Sequence, residues 1–84
     1  MNRDEIKQIA RDYICQQILS GVDPSELTDD TALVSDGILD SLASLKLVSF
    51  LEERFGISIA AHEVDVDHLD NMNLIADTVL SKLG

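Results

Sequence analysis

One stretch governs how this chain of 84 residues can fold. Between Ser41 and Phe55 there is neither Gly nor Pro, Asp40 stands immediately before the run, and Gly56 immediately after it. An Asp carboxylate satisfies the orphan N–H groups that open a helix, and Gly adopts the left-handed conformation that closes one. The stretch predicts a helix over residues 41–55. Ile6, Ile9, Ala10, Tyr13, Ile14, Ile18 and Leu19 recur at helical spacing and predict another over 3–19, with Gly21 as its stop and Pro24 beyond. A short helix is expected at 61–68. A last one is expected at 72–83, capped by Asp70 or Asn71, with Leu74, Ile75, Thr78, Val79 and Leu83 facing inward. Ile57-Ser58-Ile59 alternates but is too short to make a sheet alone. Four Gly and one Pro also disfavour a many-turned all-β fold. The expected fold is all-α: a small four-helix bundle of three main helices and one short helix, with a long loop between the first two. Its length sets one domain, 1–84.

A chain this short buries only roughly 60–65% of its unfolded surface, so the core must be compact. A hydrophobic content of 45% is too high for a disordered acidic tail. The single Cys15 cannot form an internal disulfide, so the fold stands without a staple and fits a reducing compartment. The formal net charge is −10, from 16 acidic against 6 basic side chains. Phosphate neutralisation needs clustered Lys and Arg, which excludes nucleic acid or an anionic membrane as the main partner. No apolar run approaches the roughly 20 residues of a membrane span, and Met1-Asn2-Arg3-Asp4-Glu5 is polar rather than signal-like. A soluble, cytoplasmic, monomeric protein is expected.

The helix at 41–55 carries two apolar faces. At roughly 100° per residue, Leu47, Val48, Leu51 and Phe55 share one side with Ser44, an ordinary core stripe. Leu42, Leu45 and Ser49 fall on the opposite side, with Lys46 and Glu53 beside them and Phe50 leaning that way. Either the helix is central and touches several neighbours, or this second face meets a partner. Phe50 fits both readings. Leu42 and Leu45 lie at the end next to the long loop and are read as partner contacts. Ser41 stands in the first turn, where free N–H groups and the positive end of the helix dipole favour a phosphate. An Asp-Ser pair is also a common cap, so position alone does not assign a phosphate here.

Asp36-Gly37-Ile38-Leu39-Asp40-Ser41-Leu42 resembles the Asp-Ser-Leu modification motif of acyl carrier proteins. Lys46-Leu47-Val48-Ser49-Phe50-Leu51-Glu52-Glu53-Arg54-Phe55-Gly56-Ile57 is similar to the second helix of that family, and Thr28-Asp29-Asp30-Thr31-Ala32-Leu33 to its loop. The resemblance covers about residues 3–83. It implies a non-catalytic, four-helix carrier with no metal. A 4′-phosphopantetheine arm would be attached to Ser41 and would hold an acyl or aminoacyl group as a thioester. It also implies partners: a phosphopantetheinyl transferase using coenzyme A and magnesium, an acyl- or aminoacyl-loading ligase or adenylating enzyme, and downstream synthases or transferases. Asp40 and Leu42 would contact them, with Leu45, Lys46 and Ser49 on the same face. The chain departs from fatty-acid-type carriers in one respect. Glu52 and Glu53 are balanced by Lys46 and Arg54, and Ala43 and Lys46 stand where such carriers often have acids. The Gly-Ile-Leu-Asp-Ser-Leu form looks more like free-standing carriers of specialised pathways.

Other chemistries fit poorly. A calcium loop starting at Asp65 meets Leu69, Asp70 and Ala76 at positions that need ligands or Gly, and one starting at Asp29 meets Leu33 and Val34. Cys15, His62 and His68 match no compact zinc spacing. Neither His is patterned with Ser41 as a triad, and no nucleotide P-loop is present. The remaining alternative is an acidic helical interaction module without a prosthetic group. The charge has a pattern of its own. Residues 1–19, 41–55 and 74–84 each sum to zero. Asp23, Glu26, Asp29, Asp30, Asp36 and Asp40 before the helix, and Glu63, Asp65, Asp67 and Asp70 after it, have no base in their own segments. This is an acidic frame around a near-neutral helix, suited to basic partner residues.

Overall fold

The structure, a computed structural model, describes residues 2–19 and 26–83. The stop signals Gly21 and Pro24 lie outside the described residues. Helix α1 spans Arg3–Tyr13, α2 Ser41–Phe55, α3 Val66–Leu69 and α4 Met72–Leu83. No strand occurs among the described residues. The periodicity over 3–19 continues through a change of helix type rather than one α-helix. A π-helical segment, Ile14–Ile18, follows α1, closed by the Leu19 N–H donating to the Ile14 carbonyl at 2.7 Å. The wider turn buries Ile14 and Cys15 side by side and leaves Gln16 and Gln17 exposed. The short helix expected at 61–68 is likewise two pieces: a 3₁₀ turn at Ala61–Glu63, and α3, opened by Asp65.

The caps show why the elements sit where they do. Asn2 accepts the Glu5 N–H at 2.8 Å to open α1, and Asp40 accepts the Ala43 N–H at 2.7 Å to open α2. Gly56 closes α2 with φ +65°, and a side chain there would meet nothing within 4 Å. Its identity therefore follows from the left-handed backbone rather than from crowding. Of the two candidate caps for α4, Asn71 serves, accepting the Leu74 N–H at 2.8 Å, and Asp70 is engaged elsewhere.

The core joins Ile6, Ala10 and Ile14 to Leu47, Val48 and Leu51 of α2, Leu69 of α3, and Met72, Ile75, Ala76 and Val79 of α4. α1 packs chiefly along α4. Leu27, Leu33 and Leu39 enter the same core, so the described part of the long loop is anchored at three points. On α4 the expected Ile75, Thr78 and Val79 are buried and Met72 and Ala76 join them, whereas Leu74 is half-buried and Leu83, the last residue of the helix, is 43% exposed. Thr78 is buried and donates its Oγ1 hydrogen to the Leu74 carbonyl at 2.9 Å, so its polar atom costs little. No buried side-chain nitrogen or oxygen among the described residues lacks a partner.

The loop is also held by charge. Asp29 reaches back to α1, taking Lys7 Nζ at 3.1 Å on one oxygen and Arg11 Nη2 at 2.7 Å on the other. Arg11 Nε donates to the Leu27 carbonyl at 2.7 Å. The Lys7 hydrogen bond, then the Lys7 charge and the Arg11 contacts, hold the Asp29 carboxyl below its ordinary 3.8 against a smaller opposing effect of burial. A lowered carboxyl value in the fold gives stability that is present above 3.8 and lost as pH falls through the lowered value. Asp29→Asn is therefore expected to lower the urea midpoint at neutral pH and to flatten its fall on acidification. Wild-type and variant curves that stay parallel into acid would count against this pairing.

Candidate functional site

Asp40 and Ser41 divide the work at the start of α2. Asp40 Oδ1 takes the Ala43 N–H and the Asp40 carbonyl takes the Ser44 N–H at 2.8 Å. Capping is thereby done by Asp40, and the Ser41 side chain is exposed and enters none of these bonds. The N–H groups of Ser41 and Leu42 lie in the first turn, where a helix offers no acceptor of its own. A hydroxyl presented at the positive end of a 15-residue helix suits an esterified phosphate, since the dipole and the free N–H groups offset its charge. The residues present therefore fit a phosphopantetheine group borne on Oγ.

Ser41 also lines the rim of a cleft of about 550 Å³. Its lining comes from Val34 and Leu39 of the loop, from Ala61, Val64, Asp65 and Leu69 after α2, and from Ser44 and Leu45 of α2 itself. A smaller cleft of about 240 Å³ lies on the far side of Asp40, between Leu42, Ala43 and Lys46 and the end of the first helical segment at Gln17, Ile18 and Leu19. The larger one is mostly apolar and has room for a chain of methylenes.

The structure brings Ser41, Leu42, Leu45, Lys46 and Ser49 onto one exposed surface with Asp40 at its edge. Leu42 is 62% and Leu45 56% exposed, more than any other large apolar side chain among the described residues. Phe50 is half-buried, its ring stacked on Tyr13 with centroids 4.1 Å apart and planes 15° from parallel. Half of its double reading is thus met by α1. Tyr13 Oη further donates to the Lys46 carbonyl at 3.3 Å.

The acidic frame is smaller in space than in sequence. Asp29 is paired with Lys7 and Arg11, and Glu63 with Lys82 at 2.6 Å. Asp65 takes the His68 Nδ1 at 2.7 Å, and its carboxyl is held below the usual range chiefly by that bond. Exposed Glu26, Asp36, Asp40 and Asp67 enter no ion pair among the described residues, nor does Lys46, and Asp23 lies outside the described residues. No group of three or more His, Cys, Asp or Glu side chains among the described residues is placed to hold a metal ion. Cys15 is buried on the first helical segment, and His62 is exposed on the 3₁₀ turn. Sequence reasoning missed the role of Asp70, whose carboxylate binds the loop beside Ser41. Its partners are 35 and 36 residues away, and no local spacing reports them.

Known proteins point the same way. A family model for the phosphopantetheine attachment site matches residues 11–79. An acyl carrier protein of Guillardia theta is 31% identical over 84 residues, covering 100% of this chain and 99% of its own. One from Thermotoga maritima is 29% identical over 83 residues, covering 99% and 98%. Among solved structures, a chain of one named "Crystal structure of FAD-dependent dehydrogenase" superposes with a TM-score of 0.75 at 28% identity, covering 83% of this chain and 97% of that one. With a fold of four helices and a match over most of its length, the chain belongs to the acyl carrier protein family. It is a carrier protein whose cofactor is covalently attached 4′-phosphopantetheine. No helix among the described residues is long and apolar enough to cross a membrane.

Proposed function

We propose that Ser41 is the attachment residue, and that the chain is a single carrier domain that presents an acyl or aminoacyl thioester to enzymes of a biosynthetic pathway. The observation that carries this is the division of labour at the start of α2. Asp40 does the capping, which leaves the Ser41 hydroxyl exposed and uncommitted. The arm supplies a terminal thiol for the thioester and a tether that raises the local concentration of the cargo at a docked enzyme. The cleft beside Ser41 offers that cargo an apolar shelter, worth about 0.8 kcal/mol for each methylene buried. Transfer of the arm from coenzyme A by a magnesium-dependent phosphopantetheinyl transferase, followed by loading through a ligase or adenylating enzyme, completes the reading. Buried Cys15 and the absence of a second Cys support a reducing, cytoplasmic setting. A flavin-dependent dehydrogenase acting on the carried group is one downstream class, suggested by the name of the structure that contains a similar chain. The test is an intact mass after incubation with coenzyme A, magnesium and a promiscuous transferase. One added phosphopantetheinyl group on the peptide that contains Ser41 is expected. A folded protein that takes none would leave the interaction-module reading in its place.

Leu42, Leu45, Lys46, Ser49 and Asp40 form the proposed docking face. Leu42→Ala and Leu45→Ala are each expected to lower kcat/KM for transfer to a partner enzyme by about tenfold, the cost of one modest interface contact. Unchanged transfer with every partner tried would remove these residues from the face.

A further inference from the structure

Ser41 sits at the rim of a cleft whose two walls come from distant parts of the chain, and one side chain joins them. Leu69 lines the cleft from α3, and Val34 lines it from the loop. Asp70, directly after Leu69, accepts the Val34 N–H at 3.0 Å and the Ser35 N–H at 2.8 Å on Oδ1, and the Ser35 hydroxyl at 2.8 Å on Oδ2. Its own carbonyl accepts the Leu33 N–H. Each wall is a unit in itself. The loop closes on itself through Gly37 N–H to the Val34 carbonyl at 3.0 Å and Leu39 N–H to the Leu33 carbonyl at 2.8 Å. α3 is fixed by Asp65 at its start, and by the Asp70 N–H donating to the Val66 carbonyl at its end. The loop unit then runs straight into Asp40 and Ser41.

We propose that the Asp70 carboxylate is a clasp that holds the loop wall against α3, and that its release widens the cleft beside Ser41 and exposes whatever the arm has placed there. The backbone bond from Leu33 to Asp70 is the pivot, and the three side-chain bonds are the part that opens. Asp70 is a positioning residue, because it acts through Val34 and Ser35 rather than on the cargo. The Ser35 and Val34 bonds hold its carboxyl below 3.8, so the clasp stays ionised and closed throughout the neutral range. A docked enzyme that competes for the Ser35 or Val34 N–H would open it. The cargo half of this inference rests on Ser41 as the attachment residue; the clasp itself does not.

Two measurements separate them. In the unmodified protein, Asp70→Ala should speed amide hydrogen exchange at Val34 and Ser35 by roughly tenfold, while Ile75 and Val79 in α4 are unaffected. Asp70→Asn keeps one acceptor oxygen and should retain part of the protection. Ser35→Ala removes only the hydroxyl bond and should shift the same amides less, which serves if Asp70→Ala unfolds. In protein loaded from octanoyl- or acetyl-coenzyme A, hydroxylamine attacks the thioester carbonyl, the C–S bond breaks, and the arm thiol and a hydroxamate are released. Wild type should release octanoyl several-fold more slowly than acetyl. Asp70→Ala should bring the two rates together, and Asp29→Ala, which loosens the loop at α1 instead, should preserve the difference. Unchanged exchange at Val34 and Ser35 overturns the clasp. Raised exchange with an unchanged octanoyl-to-acetyl ratio overturns its role in sheltering cargo. A wild type that takes no arm overturns the Ser41 reading and the cargo half with it, while the exchange data still decide the clasp.

Discussion

Ser41→Ala is expected to abolish uptake of phosphopantetheine while leaving the fold intact. The loss is complete because the hydroxyl oxygen is the atom that would bear the phosphate, and no neighbouring Ser shares its place. Ser44 is buried and Ser49 lies two turns along α2. The fold survives because Asp40, not Ser41, makes the cap, and Ala is a better helix former than Ser. The change in stability should stay within about 0.5 kcal/mol. Asp40→Ala is the informative counterpart. It deletes the cap and should cost roughly 1 kcal/mol, with modification slowed but not eliminated. Intact mass and thermal melts on the two variants decide this. Residual modification of Ser41→Ala would place the arm elsewhere, and a Ser41→Ala melt as depressed as that of Asp40→Ala would give Ser41 a structural role.

The second large effect separates the two faces of α2. Leu47 is fully buried against α1 and α4, and Leu45, two positions earlier, is 56% exposed. Leu47→Ala leaves a cavity in a small core and should cost roughly 2–5 kcal/mol. In a domain of this size each 1 kcal/mol shifts the melting temperature by about 4–8 °C, so the variant should be largely unfolded at growth temperatures. Leu45→Ala removes little buried area and should stay within about 0.5 kcal/mol. Its loss should appear only in transfer to partners. Similar melting temperatures for the two variants would invert the face assignment.

The contrast between local and distant information explains how much could be read in advance. α2 was legible because its signals are neighbours in sequence: Asp40 at one end, Gly56 at the other, and a stripe of Leu47, Val48 and Leu51 between them. Its outward face, with Ser41, Leu42 and Leu45, followed from the same periodicity. Leu27, Leu33 and Leu39 of the loop, whose burial no helical spacing announces, enter the same core. The π-helical segment was not legible, since the residues Ile14–Ile18 alternate no differently from an α-helix and the extra residue per turn is chosen by packing. Asp70 looked like a cap because Asp commonly is one. Its real partners lie across the bundle. The acidic frame is thinner in space for the same reason, because summing along segments cannot see Lys7 and Arg11 reaching Asp29, or Lys82 reaching Glu63. Chemistry set by adjacent residues was visible, and chemistry set by folding two segments together was not.

The Tyr13–Phe50 stack has a spectroscopic consequence. The chain has one Tyr, two Phe and no Trp, so with excitation beyond the Phe absorption band Tyr13 is its sole fluorophore. That ring lies over Phe50 and borders a shallow groove shared with Leu45, Lys46 and Ser49. Its hydroxyl is tied to α2 through the Lys46 carbonyl. A single tyrosine therefore sits at the seam between α1 and the proposed docking face. Its intensity and anisotropy would register a docking event on the unlabelled protein, without a dye on the arm or a tag on either partner.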